Sequence, residues 1–150
     1  MATTVTPANL TVTITESYTL NDVSYGNTLN KTFASQATIL QRVMNVSISD
    51  PTIINFGTAE SAGTVLKSKY SYFRITNLDD TNFVMLTLYN GADSFFYKLN
   101  AGDTLLLMSN EMDAIDASRT FAAFADITEI LADANTAACD IEIMAVTTAS

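Results

Sequence analysis

The chain contains no histidine. Ser-His-Asp and Cys-His catalysis, imidazole-ligated metals and imidazole pH switches are excluded with it. The groups left for chemistry are carboxylates, one thiol, arginines and aromatic rings. Asp79-Asp80 is a carboxylate pair, the minimum for glycosidase acid–base work. It sits inside Asn77-Leu-Asp-Asp-Thr-Asn82, however, where turn geometry alone favours Asp. Glu111, Asp113 and Asp116 form a loose acidic cluster in one loop. Calcium takes about six to eight oxygens from such loops, but the spacing of a known calcium loop is missing, and a solvated loop is the plainer reading. Cys139 is the only cysteine, so no internal disulfide can form, and its apolar neighbours point to a buried, inert thiol. The five glycines are Gly26, Gly57, Gly63, Gly91 and Gly102, and they build neither a P-loop nor a dinucleotide fingerprint. These residues predict no enzyme activity, no metal and no cofactor.

What remains is recognition. Phe95, Phe96 and Tyr97 are consecutive, so strand alternation must send Phe96 opposite to the other two. Either that strand is covered on both faces or an aromatic face is open to a partner. Arg42, Arg74 and Arg119 are the other candidates, as interface anchors or as members of local ion pairs. The chain has no tryptophan, which weakens a sugar-stacking reading.

The bulk properties set the frame for these residues. A chain of 150 residues with 48% apolar content can build one domain with a real core. Charged residues make up 15%, against roughly 25% in ordinary soluble domains. Thr fills the gap, which suits strands. Formal net charge is −9 and unevenly placed. Residues 1–78 are close to neutral, whereas residues 79–150 carry 12 acids against Lys98 and Arg119. An acidic half keeps a protein soluble or docks on a basic partner. It offers no basic patch for phosphates, so direct nucleic-acid binding is not expected. No apolar run is long enough to span a bilayer. The first residues lack the charged and apolar regions of a secretory signal, so synthesis in a cytoplasm is expected.

The elements follow from alternation and turn residues. Residues 1–9 read as a flexible arm. Residues 10–33 read as a long hairpin turning at Asn21-Asp22, which sets Leu20 against Val23, Tyr18 against Tyr25, Ile14 against Leu29 and Leu10 against Phe33. Residues 34–37 read as a linker, 39–48 as a strand or one helical turn plus a strand, and 52–56 as a short strand ended by Gly57. Residues 64–68 can begin another strand. Residues 70–108 read as an antiparallel meander of four strands joined by Asn77–Asn82, Asn90-Gly91-Ala92-Asp93 and Asn100-Ala101-Gly102-Asp103. Both faces of its second strand are apolar, which calls for cover by a sheet or another subunit. Residues 109–119 read as loop or a short helical turn. Residues 121–132 fit a helical period and a strand equally. Residues 133–136 read as a turn and 138–146 as a final strand, with Cys139, Ile141, Ile143 and Ala145 inward. The expected fold is all-β: a single-domain antiparallel β-sandwich or jelly-roll-like domain over residues 10–150, with about eight or nine strands.

The segment Arg74-Ile-Thr-Asn-Leu-Asp-Asp-Thr-Asn82, the following glycine turn and Lys98-Leu-Asn-Ala-Gly-Asp103 resemble small β-structured virion proteins of tailed bacteriophages. The closing Ala132-Asp-Ala-Asn-Thr-Ala-Ala-Cys-Asp-Ile-Glu-Ile143 is similar to the end of that pattern. The resemblance spans the C-terminal half and rests on turn residues. It implies a structural role in the particle, with no enzymatic residues to carry over. One placement it implies is a capsid decoration or cement protein, commonly a homotrimer, bound to the major capsid protein in the virion. The other is a tail, tail-fibre or baseplate component. A reading from a different class is a carbohydrate-binding module for host attachment, which requires an exposed aromatic platform and a positive glycan array.

Overall fold

Period-two alternation carries through almost the whole chain, and the backbone follows it. The computed structural model describes residues 5–49, 52–59, 64–113 and 124–149. The protein is an all-β, single-domain sandwich. One sheet has the order β1-β2-β12-β5-β8: Ala8–Leu20, Val23–Val46, Cys139–Thr148, Tyr70–Asn77 and Thr104–Leu107. The other has the order β4-β3-β11-β6-β7: Val65–Leu66, Thr52–Gly57, Glu129–Ala134, Val84–Tyr89 and Ser94–Leu99. A small ribbon pairs β9 (Glu111–Met112) with β10 (Ala125–Asp126). All pairings are antiparallel except β3 with β4. No helix among the described residues is long and apolar enough to cross a membrane.

The core lies between the two sheets. Cys139, Ile141, Ile143 and Ala145 of β12 point inward, as their alternation predicts. They meet Val84, Leu86 and Leu88 of β6 and Ile130 and Ala132 of β11. Phe56 of β3 stacks on Tyr70 of β5, with ring centroids 4.4 Å apart, and meets the edge of Phe73 at 5.9 Å. These three rings join the sheets at one end. The Tyr70 hydroxyl is buried without a hydrogen-bond partner among the described residues, and burial, with the nearby Asp126 carboxylate, pushes its ionisation far above the phenol range. Tyr70→Phe removes an unsatisfied polar group and keeps the ring. Its melting temperature is expected to equal or exceed that of the wild type by calorimetry; a clear fall would show a hidden role for the hydroxyl.

Several expectations are corrected by the fold. Residues 70–108 do form four strands, but not a continuous meander. β6 and β7 pair as a hairpin in one sheet, while β5 and β8 pair with each other in the opposite sheet. Two arches therefore cross the core. Buried Asn77 links the two: its Nδ2 donates to the carbonyls of Asn82 (2.9 Å), Leu99 (3.3 Å) and Asn100 (3.1 Å), and its Oδ1 accepts from the Asp79 amide at 3.1 Å. One side chain thus ties both crossovers together. The two other turns form as read, with Gly91 at φ +97° and Gly102 at φ +74°, where a side chain would strain the backbone.

The linker expected at 34–37 is instead part of one 24-residue strand, β2. The chain bends there through a bulge, with Ser35 at φ +56°, rather than breaking. Ala8 and Asn9, expected in an arm at 1–9, belong to β1, and residues 1–4 lie outside the described residues. Residues 129–134 are strand, which resolves the ambiguity of 121–132 for its described part; residues 121–123 lie outside the described residues. Ala134 ends β11, so the turn expected at 133–136 starts later. The described residues hold twelve strands rather than eight or nine, of which β4, β9 and β10 have two residues each.

Asp79 sits in the first arch as a cap. Its Oδ1 accepts from the amides of Asn82 (2.6 Å) and Thr81 (2.8 Å), and these bonds hold its carboxyl below the usual Asp range. Glu142 is lowered likewise by hydrogen bonds from Gln41 and Arg74. A carboxyl lowered in the folded state stabilises the fold above its unfolded pKa, and that contribution is lost as pH falls through the folded value. Urea midpoints are therefore expected to drop below about pH 4, and to drop less in Asp79→Asn. An identical acid profile in the variant would contradict the capping role.

Candidate interaction surfaces

The longest uncovered surface starts from the hairpin residues themselves. The turn Asn21-Asp22 has φ of 50° and 62°, the double left-handed geometry of a tight two-residue hairpin. It fixes the register expected from the sequence: Leu20 opposite Val23, Tyr18 opposite Tyr25, Ile14 opposite Leu29 and Leu10 opposite Phe33. β1 pairs with β2 only over residues 23–36, whereas β12 pairs with β2 only over residues 36–46. The hairpin therefore leaves the sheet near Gln36 as a two-stranded arm. At about 3.3 Å per residue, its 13 residues to the turn reach roughly 43 Å.

Every residue from 15 to 32 on this arm is exposed. One side is a polar ladder. Thr13 Oγ1 donates to Asn30 Oδ1 at 2.7 Å, and the hydroxyls of Thr15 and Thr28 meet at 3.4 Å. The other side is apolar and open: Tyr18, Leu20, Val23, Tyr25 and Leu29 are 59, 58, 51, 46 and 57% exposed. Tyr18 and Tyr25 stack on each other at 5.0 Å. Near the base Phe33 lies 6.0 Å from the Tyr72 ring, which anchors the arm to the sandwich. Gly26 lies where the strands approach so closely that a Cβ would stand 2.2 Å from the Glu16 carbonyl oxygen. An isolated two-stranded ribbon is marginal in water, and an apolar face of this length is rare on a free monomer.

A second surface lies at the opposite edge of the sandwich. β7 is an edge strand with both faces open, and Phe95, Phe96 and Tyr97 are 50, 61 and 36% exposed. Phe96 points away from the other two, beside Thr87 and on the same face of the sheet as Met85. Between β7 and β8, Leu88, Phe95, Leu106, Leu107, Met112 and Ile127 line an apolar cleft of about 290 Å³. A more polar cavity of about 440 Å³ lies at the arm's base, between Lys31, Phe33, Gln36, Lys69 and Asn110.

No family model, curated protein or solved structure matches this chain.

The remaining candidate residues fall in separate places. Arg42 shares the inward parity of Leu40 and Met44 on β2, and its guanidinium donates to the Ile53 carbonyl of the other sheet. It acts as a strut between β2 and β3. Arg74 pairs with Glu142 at 2.7 Å and donates to the Thr76 hydroxyl, a local ion pair on the sheet face. Arg119 and Asp116 lie outside the described residues. Glu111 and Asp126 face each other across β9 and β10, with Lys67 3.9 Å and Asn110 3.1 Å from the Asp126 carboxylate. Among the described residues no three metal-ligating side chains converge. Cys139 is fully buried, and burial followed by the Asp79 carboxylate raises its thiol pKa. The sequence signalled each strand of the arm but not its projection, because alternation reports an amphipathic face without saying what covers it.

Proposed function

We propose that this protein is a structural component of a tailed-bacteriophage virion, a capsid decoration or cement protein that binds the major capsid shell and stabilises it through subunit contacts. The observation that carries this reading is the arm. A sandwich body with a roughly 43 Å amphipathic ribbon has the parts of a clamp, in which the body sits on one subunit and the ribbon reaches the next. The resemblance of 74–103 and 132–143 to phage virion proteins names the particle, and implies copies grouped as homotrimers.

A tail or baseplate placement is the second reading. The edge position of β7 among the described residues, beside three exposed aromatic rings, can extend a sheet from one copy to the next, as stacked tail subunits require. The test is cosedimentation of the purified protein with capsids that lack it. Binding in a fixed ratio, with a raised temperature of capsid disruption, is the expected result. Failure to bind capsids, with binding to isolated tails, would overturn the cement placement in favour of the second.

A further inference from the structure

From base to tip, the apolar face of the arm is a series of cross-strand pairs: Leu10/Phe33, Val12/Lys31, Ile14/Leu29, Glu16/Asn27, Tyr18/Tyr25 and Leu20/Val23, half-buried at Leu10, Val12, Ile14 and Phe33 and open beyond them. It holds one acid and one base. Glu16 lies one step toward the tip from Ile14/Leu29, and Lys31 lies one step toward the base. Within one chain they stand two steps apart, about 13 Å along the ribbon, and cannot pair. Among the described residues Glu16 has no side-chain hydrogen bond or ion pair, and Lys31 only overhangs the Phe33 ring at 5.6 Å.

This order is self-complementary, and we infer that the arm's apolar face is covered by the same face of a second copy, packed antiparallel about a two-fold at Ile14/Leu29. The two-fold reverses the series. The Glu16/Asn27 step of each copy then faces the Val12/Lys31 step of the other, so two Glu16–Lys31 pairs form between chains. The Tyr18/Tyr25 step faces Leu10/Phe33, again twice, so apolar steps meet apolar steps. The parallel two-fold places each step on itself, which sets Glu16 beside a second Glu16 and Lys31 beside a second Lys31. Charge therefore selects the antiparallel arrangement. The occupant is a nearly neutral surface like the arm itself, which carries only Glu16, Asp22 and Lys31. The strongly acidic half of the chain, residues 79–150, repels its own copies and is a poorer cover. Two such faces, each about 33 Å long and 10 Å wide, cover roughly 700 Å² in all, so the contact is small and reversible. This pairing needs no capsid, and it competes with the capsid contact of the virion reading for the same arm.

The experiment is sedimentation of the full chain at concentrations up to the order of 100 μM, with charge-swap variants. Glu16→Lys and Lys31→Glu are each expected to weaken self-association by about tenfold or more, and the double swap to restore it to within about threefold. Ile14→Cys is expected to give a two-chain product with a short bismaleimide that spans the roughly 10 Å between packed sheets, while Thr13→Cys, on the polar side, gives far less. Cys139 is buried and leaves the background low. A wild-type protein that stays a single chain would overturn the inference and assign the face to another partner. Single swaps that leave association unchanged, or a double swap that fails to restore it, would overturn the antiparallel register.

Discussion

Asn77→Leu is expected to lower stability by about 3–5 kcal/mol, the largest loss from any single polar substitution in the described residues. The side chain is fully buried and serves three carbonyls and one amide. Leucine fills a similar volume but removes every bond the amide makes, leaving the Asn100 carbonyl only its bond from the Asp103 amide. Two of the carbonyls belong to the return arch at Leu99 and Asn100, so the loss reaches both crossovers. For a domain of this size a loss of that order lowers the melting temperature by roughly 10 °C or more. Calorimetry of the variant checks this, and a fall under about 3 °C would show that the arches hold without their tie. Asn77→Asp is expected to be nearly as damaging, because the new oxygen accepts where the Nδ2 donated.

The second large effect contrasts two phenylalanines. Phe56→Ala should cost about 3–5 kcal/mol, since it empties the space between Tyr70 and Phe73 and unlinks β3 from β5. Phe96→Ala should stay within about 0.5 kcal/mol, because the ring is 61% exposed and packs on no core. Urea unfolding of the pair measures the difference directly. If Phe96→Ala were equally destabilising, the ring would belong to the fold and the β7 edge would not be an available surface.

Local pattern explains what could be read before the structure. The hairpin register followed from the Asn21-Asp22 turn together with an unbroken alternation, because a one-residue slip would have put Tyr18 against a polar residue. The inward set of β12 followed in the same way. Strand partners were less legible. The four strands of 70–108 were visible one by one, yet neighbouring turns do not say whether the chain stays in a sheet or crosses to the other. Buried Asn77 links the two crossovers, and in the sequence it looks like any turn residue. The unbroken β2 was hidden for the opposite reason: Ser35 takes a left-handed conformation without a glycine to announce it. Arg42 gave no sequence sign of being a strut, since its partner is a backbone carbonyl of a strand not yet placed. The candidate aromatics were legible as a set, because three consecutive rings cannot all point one way.

The arm recognises neighbours, while the sandwich is expected to stand without it. Residues 13–30 can be replaced by an Asn-Gly turn joining Val12 to Lys31, which already face each other across the ribbon. No buried side chain is lost, since residues 15–30 are all exposed and Ile14 is only partly covered. Capsids lacking the protein are then mixed with the full-length or the shortened chain, and the bound fraction is read after sedimentation. The shortened chain is expected to melt within a few degrees of the full chain and to bind capsids at least about 100-fold more weakly. A shortened protein that binds capsids as tightly as the full chain would contradict the arm's role.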